Sequence, residues 1–270
     1  EVDHAEVLLR VTDHFDFVFN RAAPAVEFLA HGHRDSVLEV GAAHLQNILE
    51  FVSLLVVGLN ELLQGLEETL YVTVFSTVLA YVFGLPLGVL VYVTKDGGIH
   101  PNRPLNRVLS WFINLIRSVP FLILIVALIS KLIAGTSIGP KSSIFALVVA
   151  AAPFVARMVE SSLEELDTGV IEAAKTMGAS ELQIITKVLL PESVPSLVRG
   201  LSISAITLIG YSAMAGVVGA GGLGDIAIRY GVHRYEDSVM YITVILIVVV
   251  VQVIQSTFNL TAIQIDKRNR

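Results

Sequence analysis

The sequence contains no cysteine. This excludes disulfides, thiolate metal sites and a cysteine nucleophile, and leaves the compartment open. Charge is scarce as well: 16% of residues are charged against 54% hydrophobic, and the mean hydropathy is +0.74. A soluble domain of this length needs a charged surface that such a composition lacks. Five segments lack Asp, Glu and His altogether: Thr69–Val93, Leu109–Ile133, Ser142–Val159, Leu197–Val218 and Ser238–Asn259. Each has roughly the 20 residues that a helix needs to cross the hydrocarbon core. A charge at a helix centre costs on the order of 2.5–3.5 kcal/mol on insertion, so the missing acids carry information. The expected class is all-α, a polytopic membrane protein with five transmembrane helices.

The net charge of −6 is localised. Residues 1–60 hold nine acids and three arginines, whereas the remaining residues hold fifteen charges of each sign. Five of the seven histidines (His4, His14, His31, His33 and His44) also fall in this early part. The chain therefore divides into residues 1–57 and 58–270, joined near Val57 to Asn60. The first part shows no clean period, and its apolar patch Ile48–Leu59 is too short to span and is broken by Glu50. Its acidic start, without a small-residue cleavage site, is not a secretory signal. Its histidines lack an i,i+4 pair with a third ligand nearby, so no metal site is expected. No Met precedes Met158. A fused segment or a start assigned too far upstream accounts for residues 1–57 better than a periplasmic domain does.

Residues 160–192 cannot span. They carry seven acids: Glu160, Glu164, Glu165, Asp167, Glu172, Glu181 and Glu192. With five spans, one side of the membrane receives Lys95, Arg103, Arg107, Arg157, Lys175, Lys187, Arg199, Lys267, Arg268 and Arg270. The other side receives Lys131, Lys141, Arg229 and Arg234. The excess of Lys and Arg places this polar insert and the C-terminus in the cytoplasm. Arg117 lies inside the second span, but only about 7.5 Å of helix rise past Phe112. It reads equally as a snorkelling anchor or as a residue at a gate or pathway.

Within the insert, Ser161–Glu164 and Ser162–Glu165 have capping-box spacing. Asp167 or Thr168 is placed to cap a short helix through Glu172, Ala173, Ala174 and Met177, and Gly178 suits its C′ position. Ser180 with Gln183 opens a further helix to Leu190, and Pro191 is expected to stop it. Small side chains at Ala173 and Ala174, beside Met177, would let another protein approach the backbone closely. Physical reasoning alone leaves a docking helix and a passive interfacial linker tied.

Glu172-Ala173-Ala174, three residues, Gly178, nine residues, Val188, one residue, Leu190-Pro191 resembles the EAA signature of ABC importer permeases. Val188 stands where that family usually has isoleucine. Four further stretches are similar to the methionine-importer branch: Arg117-Ser118-Val119-Pro120-Phe121, Gly135-Thr136-Ser137-Ile138-Gly139, the run from Ala152 to Glu160, and Gly210-Tyr211-Ser212-Ala213-Met214. The glycine-rich Gly219-Ala220-Gly221-Gly222-Leu223-Gly224 agrees too, although osmoprotectant and phosphonate permeases share it. The resemblance covers roughly Glu61 to Arg270. It implies the type I permease fold and a cytoplasmic coupling helix seated in a cleft of an ATP-hydrolysing subunit. The implied coupling residues are Glu172, Ala173, Ala174, Met177, Gly178, Leu190 and Pro191. The implied partners are that ATP-binding subunit, a second copy of the chain, an extracytoplasmic substrate-binding protein and the lipid of a bacterial inner membrane, and no nucleic acid. ATP-Mg would be bound by the partner, and this chain would hold no cofactor, no metal and no catalytic residue. Arg117, Tyr211, Ser212 and Met214 are candidates for the translocation pathway, with ordinary helix packing as the alternative for the last three.

Other patterns carry less. Gly219 to Gly224 matches a dinucleotide fingerprint, but a membrane span precedes it where a strand is required. Gly135 to Ser142 resembles a P-loop, yet Pro140 breaks its spacing. Gly84-Leu85-Pro86-Leu87-Gly88 suggests a close helix contact inside one subunit, with a kink at Pro86. Pro120 and Pro153 suggest further bends. An ion-coupled secondary transporter is disfavoured because the spans hold no acid or histidine to relay protons. An intramembrane enzyme lacks the groups it would need. Within the importer class, the alternative is another small solute.

Overall fold

The computed structural model describes residues 35–132 and 139–265, with side chains described over 58–128 and 139–265. Most of the N-terminal segment, the residues Gly135 to Ile138 and the terminal Lys267, Arg268 and Arg270 lie outside this range. The chain forms two compact units, Glu1–Leu59 and Asn60–Arg270. Among the described residues every regular element is helical: α1 Asp35–Thr94, α2 Arg103–Ser118, α3 Phe121–Leu132, α4 Pro140–Glu164, α5 Thr168–Thr176, α6 Glu181–Gln183, α7 Leu190–Glu192, α8 Val194–Gly216, α9 Gly222–Ile226 and α10 Asp237–Ile265. Two π-helical turns, Ile184–Leu189 and Ala227–Val232, complete the set.

Among the described residues four helices are long and apolar enough to cross a membrane: Gly58–Thr94 within α1, α4, α8 and α10. The expected second span, Leu109–Ile133, is broken. It consists of α2 and α3, which meet at 93°, and makes a fifth crossing when the pair counts as one. Pro120 is the cause. It lacks an N–H, and it drives Val119 to an extended conformation (φ −80°, ψ 125°) that ends α2. Pro86 and Pro153, by contrast, lie inside α1 and α4 without interrupting them.

The core of the second unit is centred on α4, where Ala146, Leu147, Val155, Val159 and Leu163 are buried. Gly84 and Gly88 of α1 lie directly against it. A Cβ on Gly84 would stand 2.7 Å from Val155 Cβ, and one on Gly88 would stand 2.5 Å from the Ala156 carbonyl oxygen. The glycine pair therefore forms an internal contact between α1 and α4, the close approach that small residues permit.

After α8 the chain turns through Gly219, Gly221 and Gly222, all with φ near +80°, a region glycine occupies without steric cost. It then folds α9 back against α8, and the Ala227–Val232 turn packs on α9 and α10. Gly222 N donates to Glu68 Oε2 (2.8 Å) and Leu223 N to Thr69 Oγ1 (2.9 Å), which ties the returning chain to α1. α10 carries an almost wholly outward apolar surface.

Two local expectations in the insert fail. The Ser161 and Ser162 capping boxes do not form, because α4 continues to Glu164. Ser162 Oγ instead donates back to the Met158 carbonyl (2.9 Å). Nor does Pro191 stop the helix. The backbone widens into the π turn Ile184–Leu189, Leu190 N bonds the Ile185 carbonyl, and winding resumes through α7. The wider turn accommodates a proline that would clash with a regular i−4 carbonyl.

Candidate coupling surface and pathway residues

The short helix α5 is closed at both ends by its own sequence. The Asp167 carboxylate accepts from Gly169 N (2.9 Å) at the start. At the other end Gly178 N bonds the Lys175 carbonyl (3.0 Å) and Ala179 N the Ala174 carbonyl (3.1 Å). With Gly178 at φ +80°, this is a Schellman ending. Ser180 and Gln183 then form the expected reciprocal capping box: Ser180 N donates to Gln183 Oε1, and Gln183 N to Ser180 Oγ.

Two faces result. Ile171 and Ala174 turn inward and join Leu166, Ile184 and Leu189 in the core, Ala174 being only 3% exposed. Ala174 is thus small because a neighbouring turn packs on it from within the same chain. Glu172, Ala173 and Gly178 face outward with Met177, which is 81% exposed. Leu182, 70% exposed on α6, extends this surface; the sequence reading missed it because a lone leucine in a polar insert carries no periodic signal. Leu190 is half-buried against the core while Pro191 is exposed.

The insert is fastened to the membrane helices. Lys95 Nζ, just after α1, lies 2.8 Å from Glu164 Oε1 at the end of α4. His100 Nδ1 lies 3.2 Å from the Glu181 carboxylate, and Ser196 Oγ in α8 donates to Glu165. Exposed ion pairs of this kind contribute about 0–1 kcal/mol each. The shared core of Tyr92, Val93, Ile99, Leu163 and Ile171 therefore supplies most of the rigidity, and the polar contacts set register.

The pathway candidates occupy different environments. Arg117 is exposed in the last turn of α2, next to the bend. Tyr211 of α8 stacks on Phe121, just past that bend, with ring centroids 4.3 Å apart and planes 3° apart. Ser212 is buried, and Met214 faces outward, 51% exposed. Among the described residues no hydrogen bond or ion pair joins Arg117 to Tyr211, Ser212 or Met214. A polar group nearby escaped the sequence reading: Arg157 of α4 reaches Glu160 (2.5 Å) and Asn114 Oδ1 (3.2 Å). Among the described residues no group of three or more His, Cys, Asp or Glu is placed to hold a metal ion.

Residues 84–267 match the family described as binding-protein-dependent transport system inner membrane component. The chain is 49% identical over 209 residues to the probable D-methionine transport system permease protein MetI of Vibrio cholerae, covering 77% of this chain and 93% of that protein. It is 44% identical over 214 residues to the methionine import system permease protein MetP of Bacillus subtilis, covering 78% and 96%. Among solved structures, the MetNI methionine ABC transporter in inward-facing conformations is similar at a TM-score of 0.75 and 47% identity, covering 77% of this chain and 98% of that one.

Proposed function

The chain belongs to the family of binding-protein-dependent transport system inner membrane components, and from that premise we propose that it is the permease subunit of an ATP-driven methionine importer. The observation that carries the mechanism is α5: an outward face of Glu172, Ala173 and Met177 on a block fastened to α1, α4 and α8. A separate ATP-binding subunit receives this face, with Gly178 ending the helix and Leu190 and Pro191 shaping the turn behind it. That subunit binds ATP-Mg and does the hydrolysis; this chain performs no covalent chemistry.

Two copies of residues 58–270 form the membrane pore. The permease sits in a bacterial inner membrane with the insert and the C-terminus in the cytoplasm, following the excess of Lys and Arg on that side. Closure of the ATPase dimer displaces α5. The fastened block tilts the spans from inward-open to outward-open, and a substrate-binding protein delivers methionine from outside. Arg117, Tyr211, Ser212 and Met214 line or adjoin the path.

Uptake of labelled methionine into vesicles carrying this chain with its co-purified ATPase tests the reading. Unlabelled methionine should compete, and choline-type solutes or other amino acids should not. Uptake indifferent to methionine removes the substrate assignment. Uptake that survives loss of the ATPase but collapses with an uncoupler removes the importer class.

A further inference from the structure

α2 differs from every span around it. Successive residues on a helix advance by about 100°, so all the polar side chains of α2 fall within an arc of roughly 120°. The opposite side is apolar and outward: Val108, Trp111, Phe112 and Leu115 are all exposed. A third sector packs inward, where Leu109 and Ile113 meet Leu87, Val91 and Ala156. A helix with one packed, one apolar and one polar sector fits the boundary between lipid and water, where a large polar–apolar division is favoured.

Its contacts place it at one end of α1. Asn106 Nδ2 donates to the Val91 carbonyl (2.7 Å) and to Thr94 Oγ1 (3.2 Å). Ile113, about two turns further on, shares a small cluster with the same Val91. α2 therefore lies against the last turns of α1, and its Ser110 and Asn114 meet Arg157 of α4. The 93° bend then turns α3 away. This contact lies at the same end of α1 as Lys95, which pairs with Glu164 beside the insert.

One row of side chains leads from the middle of the polar sector to its apolar border: Arg103, Arg107 and Trp111, each four residues from the next. Asp96 holds Arg103 at 2.7 Å, whereas Arg107 makes no ion pair among the described residues. α2 contains three arginines and no acid. We propose that α2 is an interfacial helix lying along the cytoplasmic boundary, and that Arg103, Arg107 and Trp111 form a seat for anionic phospholipid headgroups. Indole settles at headgroup depth because its ring is apolar and its N–H is polar. Arg107 supplies the uncompensated charge, and Phe112 and Leu115 enter the acyl region. The side of the membrane rests on the orientation proposed above; the lipid seat does not.

Trp111 is the sole tryptophan of the chain, so its fluorescence reports on α2 without engineering. The full chain is reconstituted in vesicles containing phosphatidylcholine or phosphatidylglycerol brominated at shallow or deep acyl positions. Shallow labels should quench Trp111 more than deep ones, and the anionic lipid should quench with about fivefold higher effective affinity. R107Q should abolish that preference while R107K retains it, which separates charge from loss of fold. Quenching by aqueous iodide and not by lipid would place α2 along a water-filled path and overturn the proposal. Shielding from both would place this face against a second copy and overturn it as well. Equal quenching by the two headgroups would sink the anionic seat. The probe reads depth and headgroup and not uptake, so each of these failures leaves the importer reading standing.

Discussion

A Cβ placed on Gly88 of α1 would lie 2.5 Å from the carbonyl oxygen of Ala156 in α4. No rotamer relieves that contact, because the obstructing atom is backbone. With Gly84 one turn earlier against Val155, it holds α1 and α4 at a separation only glycine allows.

Gly88→Ala is expected to destabilise the protein by about 1–3 kcal/mol, the usual cost of overpacking. Gly210→Ala is the matched control, since a Cβ there has nothing within 4 Å. Thermal unfolding in detergent, followed by size-exclusion chromatography, should separate the two. Equal melting temperatures would contradict the close packing of α1 on α4.

Neighbouring alanines on α5 should behave differently. Ala173→Glu adds charge to the outward face, so the permease should insert and remain monodisperse while losing its co-purifying ATPase. Ala174→Glu places a charge at a site 3% exposed, where an unpaired charge is strongly disfavoured, so folded protein itself should be lost. Full ATPase association in Ala173→Glu would remove the docking role.

Gly178→Ala tests conformation alone. A Cβ there meets nothing within 4 Å, but φ is +80°. The left-handed geometry should cost about 1–2 kcal/mol, and Gly178→Asn should cost less because asparagine tolerates that region. Hydrogen exchange of the α5 amides should rise in the order wild type, Asn, Ala. Unchanged exchange in the alanine variant would show that the Schellman ending is dispensable.

On the opposite side of the core, Glu68→Ala removes the acceptor of Gly222 N, and Thr69→Val removes that of Leu223 N. Leaving a buried donor unpaired costs about 1–3 kcal/mol. Each variant should expose the α9 segment to proteolysis, and the double variant should do so more. Resistance equal to wild type would mean that other contacts hold the returning chain.

Much of the fold was legible because lipid imposes a simple rule. Segments without acids had to span, and the acid-rich stretch from Glu160 to Glu192 had to stay outside; α4, α8 and α10 follow. Local chemistry was equally readable at Asp167, Gly178 and Ser180, since a cap depends on residues a few positions away. In the second span the bend at Pro120 was legible but its size was not: Leu109–Ile133 is apolar enough throughout, and composition does not reveal a turn of 93°. Ser161 and Ser162 had the spacing of helix starts, yet tertiary packing carried α4 past both.

The order of residues determined which stretches enter the membrane, where α5 begins and ends, and the Glu172-to-Pro191 spacing that marks its kind. These depend on transfer free energy and short-range hydrogen bonding, which a linear pattern records. Tertiary structure decided that Ala174 faces inward while Ala173 and Met177 face outward, that Gly84 and Gly88 meet α4, and that Glu68 and Thr69 hold the chain after Gly221. Each joins residues far apart in sequence, and such pairings are selected only when close packing leaves one arrangement without overlap or an unpaired donor.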